Sequence, residues 1–299
     1  MTVSLEAFVP ELDVLREEPL SRHTTFRIGG PAELFGVPRS EEALRGALRW
    51  AEMYSVPWRV IGNGSNLLVS DQGLRGLTLK LTGLSSLSIA GDVVTAGCGT
   101  LLSRLSVFAM ERGLGGLAFA QGIPGTVGGG VLMNAGAYGG EMSHTLLESR
   151  CLDETGQVRT LAAEAHGFAY RHSCYADCPG RVIVGASFRL TPCAKEEIRR
   201  EMEAFSRRRR EKQPLQYPSA GSVFKRPPGQ YAGALIQQCG LKGLRMGGAE
   251  VSELHAGFII NRGGATCADV LRLISHIQET VLRETGFLLE PELRVLRDA

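Results

Sequence analysis

Two glycine-dense segments hold the residue types and spacings that could do chemistry. Eleven of the 38 glycines fall between Gly113 and Gly140, in the runs Gly122-Ile123-Pro124-Gly125-Thr126-Val127-Gly128-Gly129-Gly130 and Asn134-Ala135-Gly136-Ala137-Tyr138-Gly139. Such density predicts irregular backbone, because glycine adopts positive φ freely and lets a main chain approach a ligand closely, with its N–H groups aimed at phosphate oxygens. The second segment, Ile61-Gly62-Asn63-Gly64-Ser65-Asn66-Leu67-Leu68, follows an apolar, β-branched run and adds Asn and Ser as hydrogen-bonding groups. Together they read as a pyrophosphate cradle, although plain tight turns would use the same glycines.

The two common nucleotide devices do not fit. Gly62-Asn63-Gly64-Ser65-Asn66-Leu67 lacks the third glycine of the Rossmann fingerprint, and no G-x-x-x-x-G-K-[ST] occurs. Seven cysteines, an odd number in a long chain, make no disulfide framework, and the Cys174/Cys178 pair has no second pair to complete a zinc site, so no metal is expected. Charge is balanced, 33 basic against 31 acidic residues, which disfavours a nucleic-acid partner. The run Arg207-Arg208-Arg209-Arg210 reads as the solvated, dipole-matched end of a helix. The acidic N-terminus, Met1-Thr2-Val3-Ser4-Leu5-Glu6, and the lack of an apolar run of about 18 residues predict a cytoplasmic chain that neither is exported nor enters a membrane.

The elements that must position these loops are mixed. Ser40 caps an amphipathic helix ending near Tyr54; Thr100 opens a second that stops at Gly113; Ala194 to about Arg210 and Tyr231 to Cys239 form two more. Thr266 and Asp269 resemble a capping box for a last helix closed by Gly286. Strands are expected at Trp58–Ile61, Leu77–Leu81, Val93–Ala96, Val182–Leu190, Phe258–Asn261 and Leu293–Leu296. Strand and helix do not alternate regularly, so the fold class is α+β. The charged helix marks a boundary between residues 1–200 and a smaller unit, 201–299.

At this point a family resemblance becomes visible. Phe26-Arg27-Ile28-Gly29-Gly30, the Gly62–Leu68 run, Gly122–Gly129 and Asn134–Tyr138 resemble the FAD-binding signature of the MurB family, the UDP-N-acetylenolpyruvoylglucosamine reductases of peptidoglycan synthesis. Tyr170-Arg171-His172-Ser173, Ala220-Gly221-Ser222-Val223-Phe224-Lys225, His255-Ala256-Gly257-Phe258-Ile259-Ile260-Asn261 and Glu290-Pro291-Glu292-Leu293-Arg294 are similar to its remaining blocks, in order. The resemblance implies a two-lobed FAD-binding domain of the vanillyl-alcohol-oxidase (PCMH) type over 1–200, with its core at about 26–192, and a C-terminal α+β substrate domain over 201–299. It implies tightly but non-covalently bound FAD, NADPH as hydride donor, and reduction of the enolpyruvyl ether of a UDP-sugar to a lactyl ether. The short stretch from Ser173 to Val182 resembles the subgroup without a long tyrosine-bearing loop.

Residue roles follow from the same resemblance. Arg171 would hold the substrate carboxylate and stabilise the enolate that hydride addition creates. Ser222 would donate the proton that completes the step. Glu292 would be an acidic partner in a C-terminal strand, kept protonated by the nearby carboxylate; Glu290, two residues away, would share its side, and motif alignment alone chooses between them. Gly62, Asn63, Gly64, Ser65, Asn66, Gly122, Ile123, Pro124, Gly125, Thr126, Gly128, Ala135, Gly136, Ala137 and Tyr138 would line the FAD. Tyr170, Lys212, Lys225 and Arg226 would contact substrate, the cations holding a diphosphate or the NADPH phosphate. His255 and Asn261 suit a structural role. Two other readings compete: an FAD oxidase or dehydrogenase of the same superfamily acting on an alcohol or sugar, which would not require the Ser222 and Glu292 blocks, and a nucleotide-binding protein without turnover.

Overall fold

Ser40 has extended backbone and its Oγ accepts from the Ala43 amide at 3.0 Å, which starts the Glu41–Met53 helix where the polar-to-apolar pattern changes. That helix buries Ala43, Leu44, Ala47, Trp50 and Ala51 along one side. The computed structural model describes residues 3–298, so Met1 and Thr2 of the acidic N-terminus lie outside the described residues. It divides into two compact units: one comprises the chain up to Arg16, Leu34–Asn63 and Gly76–Arg208, the other Glu17–Glu33, Gly64–Arg75 and the chain from Arg209 on. Residues 17–33 and 64–75, placed by sequence with the larger domain, thus group with the C-terminal segment.

The first unit is built on an antiparallel sheet with the strand order Val158–Ala162, Leu146–Leu152, Val182–Arg189, Val93–Gly97, Leu87–Ala90. All but the last residue of its central strand, Val182–Arg189, are buried, as expected when both faces are covered. Trp58–Ile61 runs parallel to Leu74–Lys80, with Trp58 opposite Leu77 and Ile61 opposite Lys80. Thr100 does not cap the next helix: it is buried, and its Oγ1 donates to the Ser86 carbonyl at 2.9 Å and accepts the Ser86 amide at 3.2 Å, so the helix begins at Leu102.

The glycine-rich stretch is not wholly irregular. Val127–Leu132 is a short helix through Gly128, Gly129 and Gly130, with the Thr126 hydroxyl at its N-terminus. Each glycine costs a helix about 1 kcal/mol relative to alanine. Burial of Val127 and Val131 offsets this, and side chains would be crowded: a Cβ on Gly128 would lie 3.1 Å from the Cys98 Cβ, and one on Gly130 3.2 Å from Leu102. Close packing within the protein explains these two glycines.

The second unit has an antiparallel sheet in the order Ser219–Ser222, Phe258–Asn261, Ala249–Val251, Arg245–Met246. The Cys267–Thr285 helix has the full Thr266/Asp269 capping box and ends on left-handed Gly286. Asp71 adds a second anchor at its start, accepting the Cys267 and Ala268 amides at 2.7 and 3.0 Å. Leu235, Ile236, Val270, Ile274, Ile277 and Val281 share the core with Phe26, Ile28 and Leu68. Leu67–Val69 pairs in parallel with Arg294–Leu296. Among the described residues, no helix is long and apolar enough to cross a membrane.

Candidate active site

In the first unit the two glycine loops meet. A Cβ on Gly62 would fall 2.5 Å from Thr126 Oγ1, and Asn63 Nδ2 donates to the Pro124 carbonyl at 2.6 Å. Gly136-Ala137 and Gly140-Glu141 form a tight hairpin, and its two turn residues, Tyr138 and Gly139, both have positive φ, 54° and 87°. The Tyr138 ring stacks on Phe205 of the Lys195–Lys212 helix, with centroids 4.5 Å apart and planes 7° from parallel. The next residue, Ser206, donates to Gln121 Oε1 at 3.1 Å, so one helix turn secures both ends of the glycine-rich stretch.

Arg171 occupies a tight turn in which Ala169 and His172 exchange backbone hydrogen bonds of 3.2 and 3.1 Å. Its φ is 58°, a left-handed conformation uncommon outside glycine. Its guanidinium donates to the Gly136 carbonyl at 3.1 Å and lies 5.0 Å from the Tyr170 ring centroid. A hydrogen bond from Ser143 first, and the charges of His144 and Arg171 after it, hold the Glu141 carboxyl below its ordinary range.

In the second unit, Ser222 and Glu292 sit on neighbouring main-chain segments. Ser222 ends the Ser219–Ser222 strand opposite Phe258 and is exposed. The Val223 carbonyl accepts the Glu292 amide at 2.7 Å, Phe224 bridges Pro291, and the Lys225 amide donates to the Glu290 carbonyl at 2.8 Å. Glu292 therefore precedes the last strand, which begins at Arg294, instead of lying in it. Lys225 Nζ pairs with the Glu290 carboxylate, which distinguishes the two glutamates physically. Asn66 braces this segment from both sides: its Nδ2 donates to the Glu292 carbonyl, and its own carbonyl accepts the Arg294 amide, each at 3.0 Å. Arg226 lies over the exposed Tyr231 ring at 4.4 Å, and Lys212 is exposed at the end of its helix.

Residues 213–296, all within the second unit, match the family model described as the C-terminal domain of UDP-N-acetylenolpyruvoylglucosamine reductase. Residues 32–162 match an FAD binding domain. The UDP-N-acetylenolpyruvoylglucosamine reductase of Agathobacter rectalis is 46% identical, with 96% of this chain and 95% of that one covered. The chain belongs to this reductase family. The crystal structure of the MurB reductase from Thermus caldophilus agrees, with a TM-score of 0.82 at 37% identity over 96% of this chain and 99% of that one. A solvent-stable cholesterol oxidase shares the fold over 64% of this chain and 40% of its own, at 19% identity and a TM-score of 0.50. As a family member carrying the FAD domain, the chain is an FAD-dependent oxidoreductase.

The residues present suit that cofactor. Among the described residues of the first unit, the backbone amides of Asn63, Gly125 and Thr126 give no hydrogen bond to a protein acceptor. Such amides at close-packed loops are what a diphosphate requires. His255 and Asn261 serve the second unit's own structure. The His255 Nδ1 accepts the Gly257 amide at 3.1 Å, and burial pushes its pKa down; Asn261 accepts from Gly263 and Ala265 and donates to the Phe26 carbonyl at 3.1 Å. Sequence reasoning passed over the supports of the Arg171 turn. Asn134 is buried, accepts the Ser143 amide and donates to the Ala169 carbonyl at 3.2 Å; Ser173 donates to the Leu132 carbonyl at 2.8 Å. Their place within the quoted motifs was the available signal.

Proposed function

We propose that this reductase converts UDP-N-acetylglucosamine enolpyruvate to UDP-N-acetylmuramate at the expense of NADPH, in the cytoplasmic synthesis of peptidoglycan precursors. Bound FAD supplies the two-electron relay between NADPH and the enolpyruvyl double bond. Gly62, Asn63, Gly64, Ser65 and Asn66, with Gly122, Ile123, Pro124, Gly125, Thr126 and Gly128, cradle it, and Ala135, Gly136, Ala137 and Tyr138 complete its wall. Residues 201–299 contribute most of the substrate-binding side.

Arg171 holds the substrate carboxylate. As hydride addition spreads further negative charge into that carboxylate to form an enolate, a fixed, permanently charged fork gains interaction energy and so lowers the barrier. Ser222 gives its Oγ proton to the carbon beside the carboxylate, which an enolate is basic enough to accept. Glu292, in its protonated form, donates a hydrogen bond to the same enolate. Tyr170 packs against the guanidinium that binds substrate. Lys212, Lys225 and Arg226 take the diphosphate, for which Lys225 exchanges Glu290 for a phosphate oxygen. The short Ser173–Val182 connection supports membership of the subgroup without the long tyrosine-bearing loop.

The observation that supports this reading is the paired run of Ser222–Lys225 and Glu290–Glu292, in which main-chain hydrogen bonds join the two distant sequence blocks that carry the expected hydroxyl and carboxyl. The test is NADPH oxidation by the FAD-loaded protein with and without UDP-N-acetylglucosamine enolpyruvate, with the product identified by mass. Substrate-dependent oxidation with a gain of two hydrogens is expected; oxidation indifferent to that substrate would refute it.

A further inference from the structure

The segment that presents Arg171 is held at both ends by one buried serine. Ser149 lies in the Leu146–Leu152 strand, opposite Leu161 on one side and Ala186 on the other, so its position is set by the sheet. Its Oγ is 2.7 Å from His166 Nε2 and 2.6 Å from the Tyr175 hydroxyl. All three residues are at most 2% exposed. His166 and Tyr175 are the first and last residues of a ten-residue segment with Arg171 near its middle.

The protons in this chain can be assigned. His166 Nδ1 lies 2.9 and 3.2 Å from the Ala162 and Ala163 carbonyls, which only accept, so Nδ1 carries the proton and donates. In the neutral ring Nε2 is then an acceptor and takes the Ser149 hydroxyl proton. Ser149 Oγ in turn accepts from the Tyr175 hydroxyl. The order Tyr175 to Ser149 to His166 to main chain uses each donor once. Burial favours the same state, because it pushes the His166 pKa down and the Tyr175 pKa up. The Ser149–His166 spacing is that of a nucleophile and its base, but with both side chains fully buried no substrate can reach them.

Three buried polar groups are an expensive way to fill a core, since each must recover its lost hydration. Between the clamped ends lies a residue whose left-handed φ costs about 1–3 kcal/mol and persists only where the surroundings over-determine it. The inner bonds of Asn134 and Ser173 act on the same turn.

We propose that Ser149, His166 and Tyr175 are positioning residues for Arg171: their buried chain clamps the 166–175 segment and holds the strained turn so that the guanidinium meets the substrate carboxylate ready-placed. This rests on the reading of Arg171 as the carboxylate-binding residue. Small misplacements of such a group are costly in rate.

The test is a double-mutant cycle read in separate half-reactions. Tyr175→Phe keeps the ring and removes one hydrogen bond; Ser149→Ala is the second variant, and each is checked for an unchanged circular dichroism spectrum and unchanged FAD affinity. Flavin reduction by NADPH should be unaltered, whereas reoxidation by the enolpyruvyl substrate should slow about tenfold. In an Arg171→Ala background the same Tyr175→Phe change should slow reoxidation less than about twofold, because a clamp acts only through what it clamps. His166→Gln, which keeps an acceptor for Ser149, should retain more reoxidation rate than His166→Leu. Equal slowing of reoxidation in both backgrounds, or slowing of both half-reactions together, would overturn the clamp while leaving the role of Arg171 intact. No effect of Arg171→Ala on reoxidation would overturn the reading beneath it.

Discussion

The two units fix their chemistry-bearing residues by different means. In the first, Arg171 is held by buried side chains: Asn134, Ser173 and the chain from Tyr175 through Ser149 to His166. In the second, Ser222 and Glu292 are placed through main-chain bonds between paired segments, and the Ser222 side chain is exposed. The difference suits the tasks proposed for these residues. A charge that must meet developing negative charge works best when its orientation is set in advance. A proton donor must follow a carbon that moves and rehybridises, so a set backbone with a free hydroxyl serves it better.

Substitutions should separate the two designs. Arg171→Ala should slow the substrate-dependent half-reaction by about a thousandfold, with Arg171→Lys recovering only part because a point charge lacks the planar fork. Rapid mixing of substrate with pre-reduced enzyme measures this, and a fully active lysine variant would show that preset geometry is not needed. Asn66→Ala removes a side-chain brace from the main-chain design. It should cost about 1 kcal/mol of stability and speed amide exchange at Glu292 and Arg294, whose bonds depend on that brace. Unchanged exchange there would mean the paired segments hold themselves.

The smallest effect concerns pH. Burial lowers the pKa of His166 in the first unit and of His255 in the second. Above the unfolded value, about 6.5, both rings are neutral in either state and contribute no slope. As pH falls below it the unfolded chain takes up protons first, so stability should drop by on the order of 1 kcal/mol per histidine per pH unit until the lowered folded value is reached. Thermal melts between pH 8 and pH 5 measure this; His166→Gln should flatten the slope, and an unchanged slope would show that the ring is not held neutral.

Local signals were legible where neighbours in sequence decide the outcome. Ser40, and Thr266 with Asp269, mark their helices because a cap lies within three residues of what it caps. The Val127–Leu132 helix was illegible because glycine argues locally against it, and only the close approach of Cys98 and Leu102 explains the sequence. The grouping of 17–33 and 64–75 with the second unit depends on long-range pairing, such as Leu67–Val69 with Arg294–Leu296. The ordered motifs offered Arg171, Ser222 and Glu292 as the catalytic candidates. They could not tell that Glu290 is tied to Lys225, that Tyr138 stacks on Phe205, or that Ser149 reaches both ends of the Arg171 segment.

The central claim is that the second unit's exposed hydroxyl gives the proton to carbon. Anaerobic stopped-flow of Ser222→Ala in its two halves tests it most directly. Flavin reduction by NADPH should keep its wild-type rate, and reoxidation by UDP-N-acetylglucosamine enolpyruvate should fall by about a thousandfold. Equal slowing of both halves, or reoxidation at the wild-type rate, would contradict it.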